Sequence, residues 1–386
     1  MNILITNTQE FNPSIGGVER VSVDLANELI KEGFGVYFLA AFKSKFEVDY
    51  QLPSDQLILD TKRFTDQQSI ERFKEYLKDK KIDIVLNQAG NILGFTKLCV
   101  KACDSKIPLI SEVHIAPEYM LQILKDNTSS KINKKFSLLH TFRYPLYWVQ
   151  LFRLRRLYAY VYKHSNKVVL LSKRYNEEYV HCSKIKDTSK LIEMKNFTNF
   201  EGSQTQDKEN IILFVGRLEF FQKRADRIVE VWEDLYEKFP GWQLRIAGDG
   251  PEYDTLSQYI QKNDIKNIKL LGFCDVKQEY KKAKILAMTS SFEGLPLVLV
   301  EGAMYGCVPI AFDSFASVYD IIEDKVDGFV IESYKLSEYA EVLSVLMSDP
   351  NYLETIAKQS KQINLKFDKD VIIQKWITLF KELKGE

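Results

Sequence analysis

The sequence has little that is typical of an exported or membrane-spanning protein. Its five cysteines among 386 residues are odd in number and scattered, which fits neither a disulfide framework nor a zinc site. The opening residues, MNILITNTQE, have no basic region and no long apolar segment, so we expect no signal peptide. No stretch approaches the roughly 20 apolar residues of a transmembrane helix. These absences together predict a protein of the reducing cytoplasm.

The chain also has no net charge, because 53 Lys and Arg balance 53 Asp and Glu. Whole-chain charge therefore argues neither for nor against a nucleic-acid partner. With 386 residues the chain is longer than one hydrophobic core usually serves, so two domains are expected.

Short apolar runs alternate with helical patterns in both halves of the chain. Near-continuous apolar strands separated by helices are typical of parallel sheets covered on both faces. We therefore predict an α/β protein of two Rossmann-like, doubly wound domains that face each other across a cleft. The predicted strands are 2–6, 35–41, 82–88, 108–114 and 167–172 in the first half, and 211–216, 242–248, 268–272, 285–290, 308–312 and 328–331 in the second. The predicted domains are 1–198 and 211–366, with a polar linker at 199–210.

One region, 127–176, contains no Asp or Glu but eleven Lys and Arg and many aromatic residues. A membrane interface would suit this composition, since aromatic groups sit among headgroups and cations meet anionic lipid. Two alternatives stay open, namely a helix pair packed on the first domain with solvated arginines, and a single-stranded nucleic-acid surface. The cations proposed for membrane or acceptor contact are Arg143, Arg153, Arg155 and Arg156.

Two loops carry residue types that bind phosphate. Gly16 and Gly17 precede an amphipathic helix, and a glycine-rich turn at a helix N-terminus favours anions. A plain tight turn would look the same, and the G-x-G-x-x-G spacing is absent. Arg217 and Lys223 follow the first strand of the second domain, where two cations could clamp a diphosphate or could simply face solvent.

The stretch SSFEGLPLVLVEGAMYGCVP places Glu293 before a predicted helix and Glu301 inside it. An anion at this helix N-terminus would lie beside Glu293, and buried Glu301 would need a polar partner such as sugar hydroxyls. The alternative is that Glu293 caps the helix and Glu301 faces solvent. The backbone groups expected at the anion are those of Gly294, Leu295, Leu297 and Val298, because Pro296 has no N–H.

His114 stands at the end of the predicted strand 108–114 and is one of only four histidines. A histidine that faces a ligand site can act as a base or as a polar positioning group. A structural histidine with satisfied hydrogen bonds is the other interpretation.

The motifs VGRL with a downstream lysine, GDGPEYDTL, LGF, E-G-L-P-x-x-x-x-E, GCVPIA and DGFVI occur in this order from residue 215 to residue 331. Their order resembles that of the retaining glycosyltransferases of family 4, which have the GT-B fold. GGVER near the N-terminus and the strand-end His114 also fit, so the resemblance spans nearly the whole chain.

The resemblance implies a nucleoside diphosphate sugar bound mainly by the second domain. Arg217 and Lys223 would neutralise the diphosphate, and Glu293 would contact the transferred sugar. Glu301 would bind the ribose, and Gly16 and Gly17 would approach the phosphates. His114 would lie near the donor sugar and the acceptor. The final helix, 367–386, would return to the first domain.

We expect no catalytic metal and no other cofactor, because fixed cations and helix N–H groups can stabilise the leaving diphosphate. The only D-x-D, Asp368-Lys369-Asp370, is better explained as the N-cap of the last helix. Family 4 retention is usually assigned to front-face attack, which needs no nucleophile–base pair. Two departures from the family pattern are Gly302, where alanine is usual, and Pro296, which is similar to members that use galactose or N-acetylhexosamine donors.

The sequence thus predicts a retaining hexosyl- or N-acetylhexosaminyltransferase. Its expected donors are uridine diphosphate sugars, and its expected acceptor is a lipid-linked saccharide of surface polysaccharide synthesis. It would act in the cytoplasm, peripherally on the inner membrane face, and would not bind nucleic acid. Two alternatives remain, a sugar-nucleotide epimerase on the same fold and a non-catalytic sugar-nucleotide-binding partner subunit.

Overall fold

A computed structural model describes residues 1–14, 16–44, 50–61, 63–126, 130–132, 143–202 and 208–385. The chain forms two compact units. The first comprises Met1–Pro117, Leu151–Asn199 and Asp368–Glu386, and the second comprises Glu118–Gln150 and Phe200–Phe367. Within the described ranges, no helix combines the length and the apolar content needed to cross a membrane.

The described part of the first unit contains a seven-stranded parallel sheet in the order β3-β2-β1-β4-β5-β6-β7. Its strands are β1 (Asn2–Gln9), β2 (Gly35–Phe42), β3 (Gln56–Ile58), β4 (Ile84–Asn87), β5 (Leu109–Val113), β6 (Lys167–Leu170) and β7 (Leu191–Glu193). The helices that belong to this unit alone are α1 (Gly17–Lys31), α2 (Gln67–Asp79), α3 (Leu93–Cys103), α6 (Tyr175–Ser183) and α14 (Lys369–Lys384).

Apolar residues on both faces of the first sheet explain why helices cover it on both sides. Ile3 and Ile5 pack in one core cluster with residues of α1 and α14, whereas Leu4 packs in another with residues of α2 and α3. Successive strand side chains point to opposite faces, so one continuous apolar strand serves both clusters. In α14, Trp376 and Phe380 contribute to the α1 side, and the Asp368 side chain caps the helix by accepting from the Val371 N–H.

The described part of the second unit contains a six-stranded parallel sheet in the order β10-β9-β8-β11-β12-β13. Its strands are β8 (Glu209–Val215), β9 (Gln243–Ala247), β10 (Ile268–Gly272), β11 (Ala283–Met288), β12 (Val308–Phe312) and β13 (Phe329–Ile331). The helices are α4 (Tyr119–Lys125), α7 (Ala225–Glu233), α8 (Tyr253–Lys262), α9 (Val276–Lys282), α10 (Leu297–Met304), α11 (Val318–Ile321), α12 (Leu336–Ser348) and α13 (Pro350–Ser360), followed by a 3₁₀ helix at Lys361–Phe367.

A 22-residue helix, α5 (Arg143–His164), accounts for much of the acid-free region. Its residues divide between the two units at Gln150 and Leu151. Residues 127–129 and 133–142 of that region lie outside the described residues, and so do 203–207 of the predicted linker.

The predicted first domain, 1–198, needs correction, because residues 118–150 belong to the second unit. Polar and apolar contacts both hold this segment there. The Asp126 carboxylate forms ion pairs with Arg224 and Arg227, and the Ser130 hydroxyl donates to Glu230 Oε1 at 2.6 Å. Ile132 packs against the core of the second unit. These partners lie about 100 residues away along the chain, so hydrophobic periodicity in the segment itself could not indicate them.

Candidate functional site

Two neighbouring loops carry the site residues of the second unit. Strands β8 and β11 pair in parallel, and the loops 216–224 and 289–296 follow them. The carboxyl ends of parallel strands meet at the same edge of a sheet, where α/β proteins bind their ligands. The loops therefore bring Lys223 and Glu293 together, although the two residues are 70 positions apart in the chain.

Lys223 and Glu293 form a salt bridge, with 2.7 Å between lysine Nζ and glutamate Oε1. The other carboxylate oxygen accepts a hydrogen bond from Gln222 Nε2 at 3.1 Å. Gly216 leaves room for the lysine stem, because a Cβ at Gly216 would lie 3.3 Å from Lys223 Cδ. The side chains are 19% and 6% exposed, respectively, so the pair is held in one geometry at the margin of the core.

Arg217 stands on the same loop as Lys223, directly after Gly216. Its side chain is exposed, and its guanidinium forms no ion pair with any residue in the described part of the chain. The loop thus carries two cations, an exposed guanidinium and a mostly buried ammonium, which suit an anionic ligand at this edge of the sheet.

The helix α10 begins immediately after the second loop. Its N-cap is Pro296, whose side chain makes no capping hydrogen bond. Glu293 therefore does not occupy the N-cap position, and its carboxylate accepts from Gln222 and pairs with Lys223. The surrounding residues Gly294, Leu295 and Leu297 are buried, whereas Val298 is partly exposed.

Glu301 lies on α10 and is completely buried in this structure, so the alternative in which it faces solvent is also wrong. The Tyr280 hydroxyl donates to Glu301 Oε2 at 3.3 Å. This contact provides the polar partner that a buried carboxylate needs. A Cβ at Gly302 would lie 2.5 Å from Leu286 Cδ2, so alanine at this position would require the end of the Leu286 side chain to shift.

In the first unit, Gly16 and Gly17 stand at the N-terminus of α1, with Gly16 as the N-cap. A Cβ at Gly17 would meet no atom within 4 Å, so packing inside the chain does not require this glycine. Gly16 differs, because its Cβ would lie 2.3 Å from Glu19 Oε2. The open space at Gly17 would let a ligand approach the backbone closely.

His114 follows β5, where it contacts two polar residues that the sequence analysis missed. Its Nε2 hydrogen-bonds with the Gln88 side-chain oxygen and lies 3.6 Å from Glu112 Oε2. Glu112 is the one charged residue within β5, whose other residues are apolar except for Ser111. A charged residue in such a strand is a sequence signal that could have identified Glu112 as a site residue. Lys195 and Trp376 line the same small cavity.

Burial favours the neutral forms of both His114 and Glu112. It lowers the pKa of His114 to about 3 and raises the pKa of Glu112 to about 8. Their contact at neutral pH is therefore not an ion pair. Since the Gln88 oxygen is an acceptor, neutral His114 carries its hydrogen on Nε2 and keeps Nδ1 as an acceptor.

The raised pKa of Glu112 predicts how the stability of the folded state changes with pH. The unfolded chain ionises Glu112 near pH 4.5, whereas the folded chain holds the proton up to about pH 8, so the native state loses stability as pH rises between these values. We expect the Glu112→Gln variant to gain melting temperature relative to the wild type over this interval. Thermal unfolding across the pH range measures the effect, with exposed Glu341→Gln as a control. A difference from the wild type that is independent of pH would contradict the prediction.

The helix α5 presents aromatic side chains and cations to solvent. Tyr144, Trp148 and Phe152 are 72%, 66% and 58% exposed and follow each other at intervals of four residues on one face. Arg153 and Arg156 are exposed and Arg155 is half-buried, while the side chain of Arg143 is outside the described part. The helix contains no acid, so nothing on it offsets this positive charge.

Two family models match adjacent parts of the chain. Residues 195–363 match "Glycosyl transferases group 1", and residues 15–192 match "Glycosyltransferase Family 4". The chain belongs to glycosyltransferase family 4. It is therefore a glycosyltransferase, and its two parallel sheets are those of the GT-B fold.

Two relatives of this family 4 enzyme align along nearly their whole length. An uncharacterized glycosyltransferase of Haemophilus influenzae is 27% identical over 375 residues, covering 94% of this chain and 96% of the relative. A Campylobacter jejuni enzyme, GalNAc-α-(1→4)-GalNAc-α-(1→3)-diNAcBac-PP-undecaprenol α-1,4-N-acetyl-D-galactosaminyltransferase, is 27% identical over 385 residues, covering 96% of each chain.

Solved structures agree with the fold. Anabaena Alr3699/HepE, in complex with UDP and glucose, superposes with a TM-score of 0.77 and 15% identity, over 99% of this chain and 100% of that one. The pneumococcal O-GlcNAc transferase GtfA, in complex with UDP and GlcNAc, has the same TM-score at 14% identity, over 100% of this chain and 99% of that one. At these identities the likeness shows the fold alone.

Proposed function

We propose that this glycosyltransferase moves a hexosyl or N-acetylhexosaminyl group, with retention of anomeric configuration, from a uridine diphosphate sugar to a lipid-linked saccharide. The observation that carries the proposal is the Lys223–Glu293 pair at the carboxyl edge of the second sheet, with exposed Arg217 on the same loop. An ammonium, a guanidinium and a carboxylate at one sheet edge can serve the two ends of such a donor, the diphosphate and the sugar.

The diphosphate gains negative charge as its bond to the sugar breaks. Arg217 and Lys223 stabilise this charge, and the N-terminus of α10 adds the backbone N–H groups of Leu297 and Val298, which have no partner within the helix. The backbone of Gly294 and Leu295, in the loop directly before α10, contacts the same diphosphate. Because fixed cations do this work, the reaction needs no metal ion or other cofactor.

Glu293 contacts the transferred sugar, where its charge favours the positive character that develops at the anomeric carbon. Glu301 binds the ribose hydroxyls, and the hydrogen bond from the Tyr280 hydroxyl orients its carboxylate. The family resemblance assigns donor and acceptor contacts to Gly16, Gly17 and His114 of the first unit. His114 acts there as a neutral hydrogen-bonding group, because burial lowers its pKa to about 3.

Relatives support the choice of donor and acceptor. The name of the Campylobacter enzyme describes N-acetylgalactosaminyl transfer to an undecaprenol-linked saccharide, and a relative from Erwinia amylovora, 28% identical over 229 residues, is an amylovoran biosynthesis glycosyltransferase. The complexes of Alr3699/HepE and of GtfA contain UDP. The Pro296 form of the loop agrees with an N-acetylhexosamine or galactose donor.

A lipid-linked acceptor requires the enzyme to reach the membrane surface, and α5 suits this task. Its exposed Trp148 and Phe152 can enter the headgroup region while Arg153 and Arg156 pair with anionic lipid. The enzyme would then work peripherally at the inner membrane face. Nucleic acid is not an expected partner, because the rest of the site suits a small nucleotide.

Vesicle binding tests this role of α5. The Arg153→Ala/Arg156→Ala double variant should bind vesicles with anionic phosphatidylglycerol about tenfold or more weakly, since each cation near such a surface contributes about 1 kcal/mol. Co-sedimentation measures the affinity. Lys262→Ala/Lys269→Ala removes two exposed cations from the second unit and serves as the matched control. Equal binding by wild type and the α5 variant would exclude docking through this helix.

Release of nucleoside diphosphate from a panel of uridine and guanosine diphosphate sugars tests the function itself. A transferase releases the diphosphate, an epimerase converts one nucleotide sugar into another without releasing it, and a non-catalytic subunit does neither. The anomeric configuration of the transferred sugar, read from the product by NMR, tests retention.

A further inference from the structure

A buried ion cluster adjoins the Lys223–Glu293 pair in the second unit. It consists of two aspartates and two arginines, so the cluster has no net formal charge. Each of these four residues is at most 1% exposed. Arg224 contacts both acids, with NH1 2.9 Å from Asp126 Oδ2 and NH2 2.9 Å from Asp226 Oδ2. Arg227 also pairs with Asp126.

The Asp126 carboxylate connects the two loops that hold the pair. Arg224 directly follows Lys223 on the first loop. Ser291 stands two residues before Glu293 on the second loop, and its hydroxyl donates to Asp126 Oδ2 at 3.0 Å. One carboxylate from a distant part of the chain thus accepts hydrogen bonds from both loops.

The backbone of the first loop depends on this cluster. Arg224 adopts a left-handed conformation with φ of 53°, which is uncommon for a residue with a side chain and persists only where surrounding contacts determine it. Thr289 reinforces the connection, because its hydroxyl donates to the Arg224 carbonyl at 2.8 Å. The position of Lys223 therefore follows from the contacts of its neighbour.

Stability alone is a weak reason for such a cluster. Well-packed apolar residues of similar volume often stabilise a fold as much as a buried ion pair does, or more. Buried charged groups instead confer a unique geometry in some proteins, and here that geometry lies next to the proposed catalytic residues.

We propose that Asp126 is a positioning residue, whose carboxylate joins the two loops through Arg224 and Ser291 and thereby sets the Lys223–Glu293 contact. The effect of Asp126 on catalysis rests on the proposed function, but its effect on the Lys223–Glu293 contact can be tested without substrate.

Ser291→Ala is the informative variant, because it removes the direct hydrogen bond from the second loop to Asp126, together with a longer one from Arg227 to the same hydroxyl. It leaves in place both ion pairs of Asp126 and the backbone hydrogen bond from Ser291 N–H to Gln222. The readout is the rate at which a water-soluble acylating reagent labels Lys223, measured by mass spectrometry relative to exposed Lys262. An ammonium in a salt bridge reacts slowly, so a loosened pair reacts faster. Loss of the hydrogen bond to Asp126 should raise labelling about fivefold. Ser290→Ala is the matched control, since this adjacent buried hydroxyl has no hydrogen-bond partner among the described residues, and it should leave labelling unchanged.

A second comparison separates positioning from general stability. Asp126→Asn and Asp226→Asn each remove one buried carboxylate from Arg224, but only Asp126 contacts Ser291. At equal loss of melting temperature, Asp126→Asn should raise Lys223 labelling more than Asp226→Asn does. If either aspartate variant fails to fold, the two serine variants decide the question.

Turnover adds a kinetic readout. Ser291→Ala should lower kcat about fivefold with KM for the donor changed by less than about twofold, and it should have no further effect in the Glu293→Gln background. Unchanged Lys223 labelling in Ser291→Ala, or equal labelling in Ser291→Ala and Ser290→Ala, would overturn the proposal whatever the turnover. Raised Lys223 labelling in Ser291→Ala, together with no turnover of any nucleotide sugar by the wild type, would support positioning and contradict the proposed function.

Discussion

Replacing Glu293 with glutamine is expected to lower kcat for sugar transfer at least ~10²-fold, because the neutral amide cannot stabilise positive charge at the anomeric carbon. Glutamine is nearly the same size and can still accept from Lys223, so the loop should keep its shape. The loss should therefore appear in kcat and in kcat/KM together, which is the pattern of an interaction made only in the transition state. Steady-state kinetics with the preferred donor measures it.

The control for this variant is Glu341→Gln, which makes the same chemical change on the exposed side of α12. It should behave like the wild type in turnover. Should Glu293→Gln retain more than about one tenth of wild-type kcat, the assignment of Glu293 to the reacting sugar would be wrong.

Replacing Lys223 has an expected effect of the same size for a different reason. Lys223→Ala removes the cation that we propose stabilises the leaving diphosphate, and it also deprives the nearly buried Glu293 carboxylate of its salt-bridge partner. We expect kcat to fall at least ~10²-fold. Lys223→Met separates charge from packing, since methionine preserves the apolar stem over Gly216, and it should be nearly as slow as the alanine variant.

The exposed Lys262→Ala serves as the control for lysine removal. Two results would argue against the role of Lys223, namely wild-type turnover in the alanine variant, or recovery of most activity in Lys223→Met. The second result would mean that the lysine stem, and not its charge, matters.

Much of the fold follows from local patterns in the sequence. Runs such as NILIT and IILFVG are apolar on both faces, and that pattern correctly predicted central strands of the two sheets. The alternation with helices gave the parallel topology, and the order of the second-domain motifs gave the family. Local patterns also indicated that Asp368 caps the final helix.

The parts that could not be predicted depend on distant contacts. The short edge strands β3 and β7 have only three residues each and carry little periodicity. Asp126 contacts Ser291 across 165 residues, and no local pattern in either segment indicates the pairing. The same holds for the hydrogen bond between Gln88 and His114, although the charged Glu112 inside an apolar strand was a signal that could have been used.

The sequence also indicated which residues belong to the site, but not which of them pair with each other. The spacing of Glu293 and Glu301 suggested two carboxylates beside a helix N-terminus, one before the helix and one inside it. The structure adds that Glu293 pairs with Lys223 and that Glu301 accepts from Tyr280 while fully buried. These partners come from neighbouring strand ends and helices, so only the folded sheet defines them.

The most direct test of the central claim is nucleoside diphosphate release by the wild type from the panel of uridine and guanosine diphosphate sugars, with Glu293→Gln measured in parallel. We expect the wild type to turn over one uridine diphosphate hexose or N-acetylhexosamine much faster than the other donors, and Glu293→Gln to be at least ~10²-fold slower with that donor. Release from none of the donors, or equal release by both proteins, would contradict it.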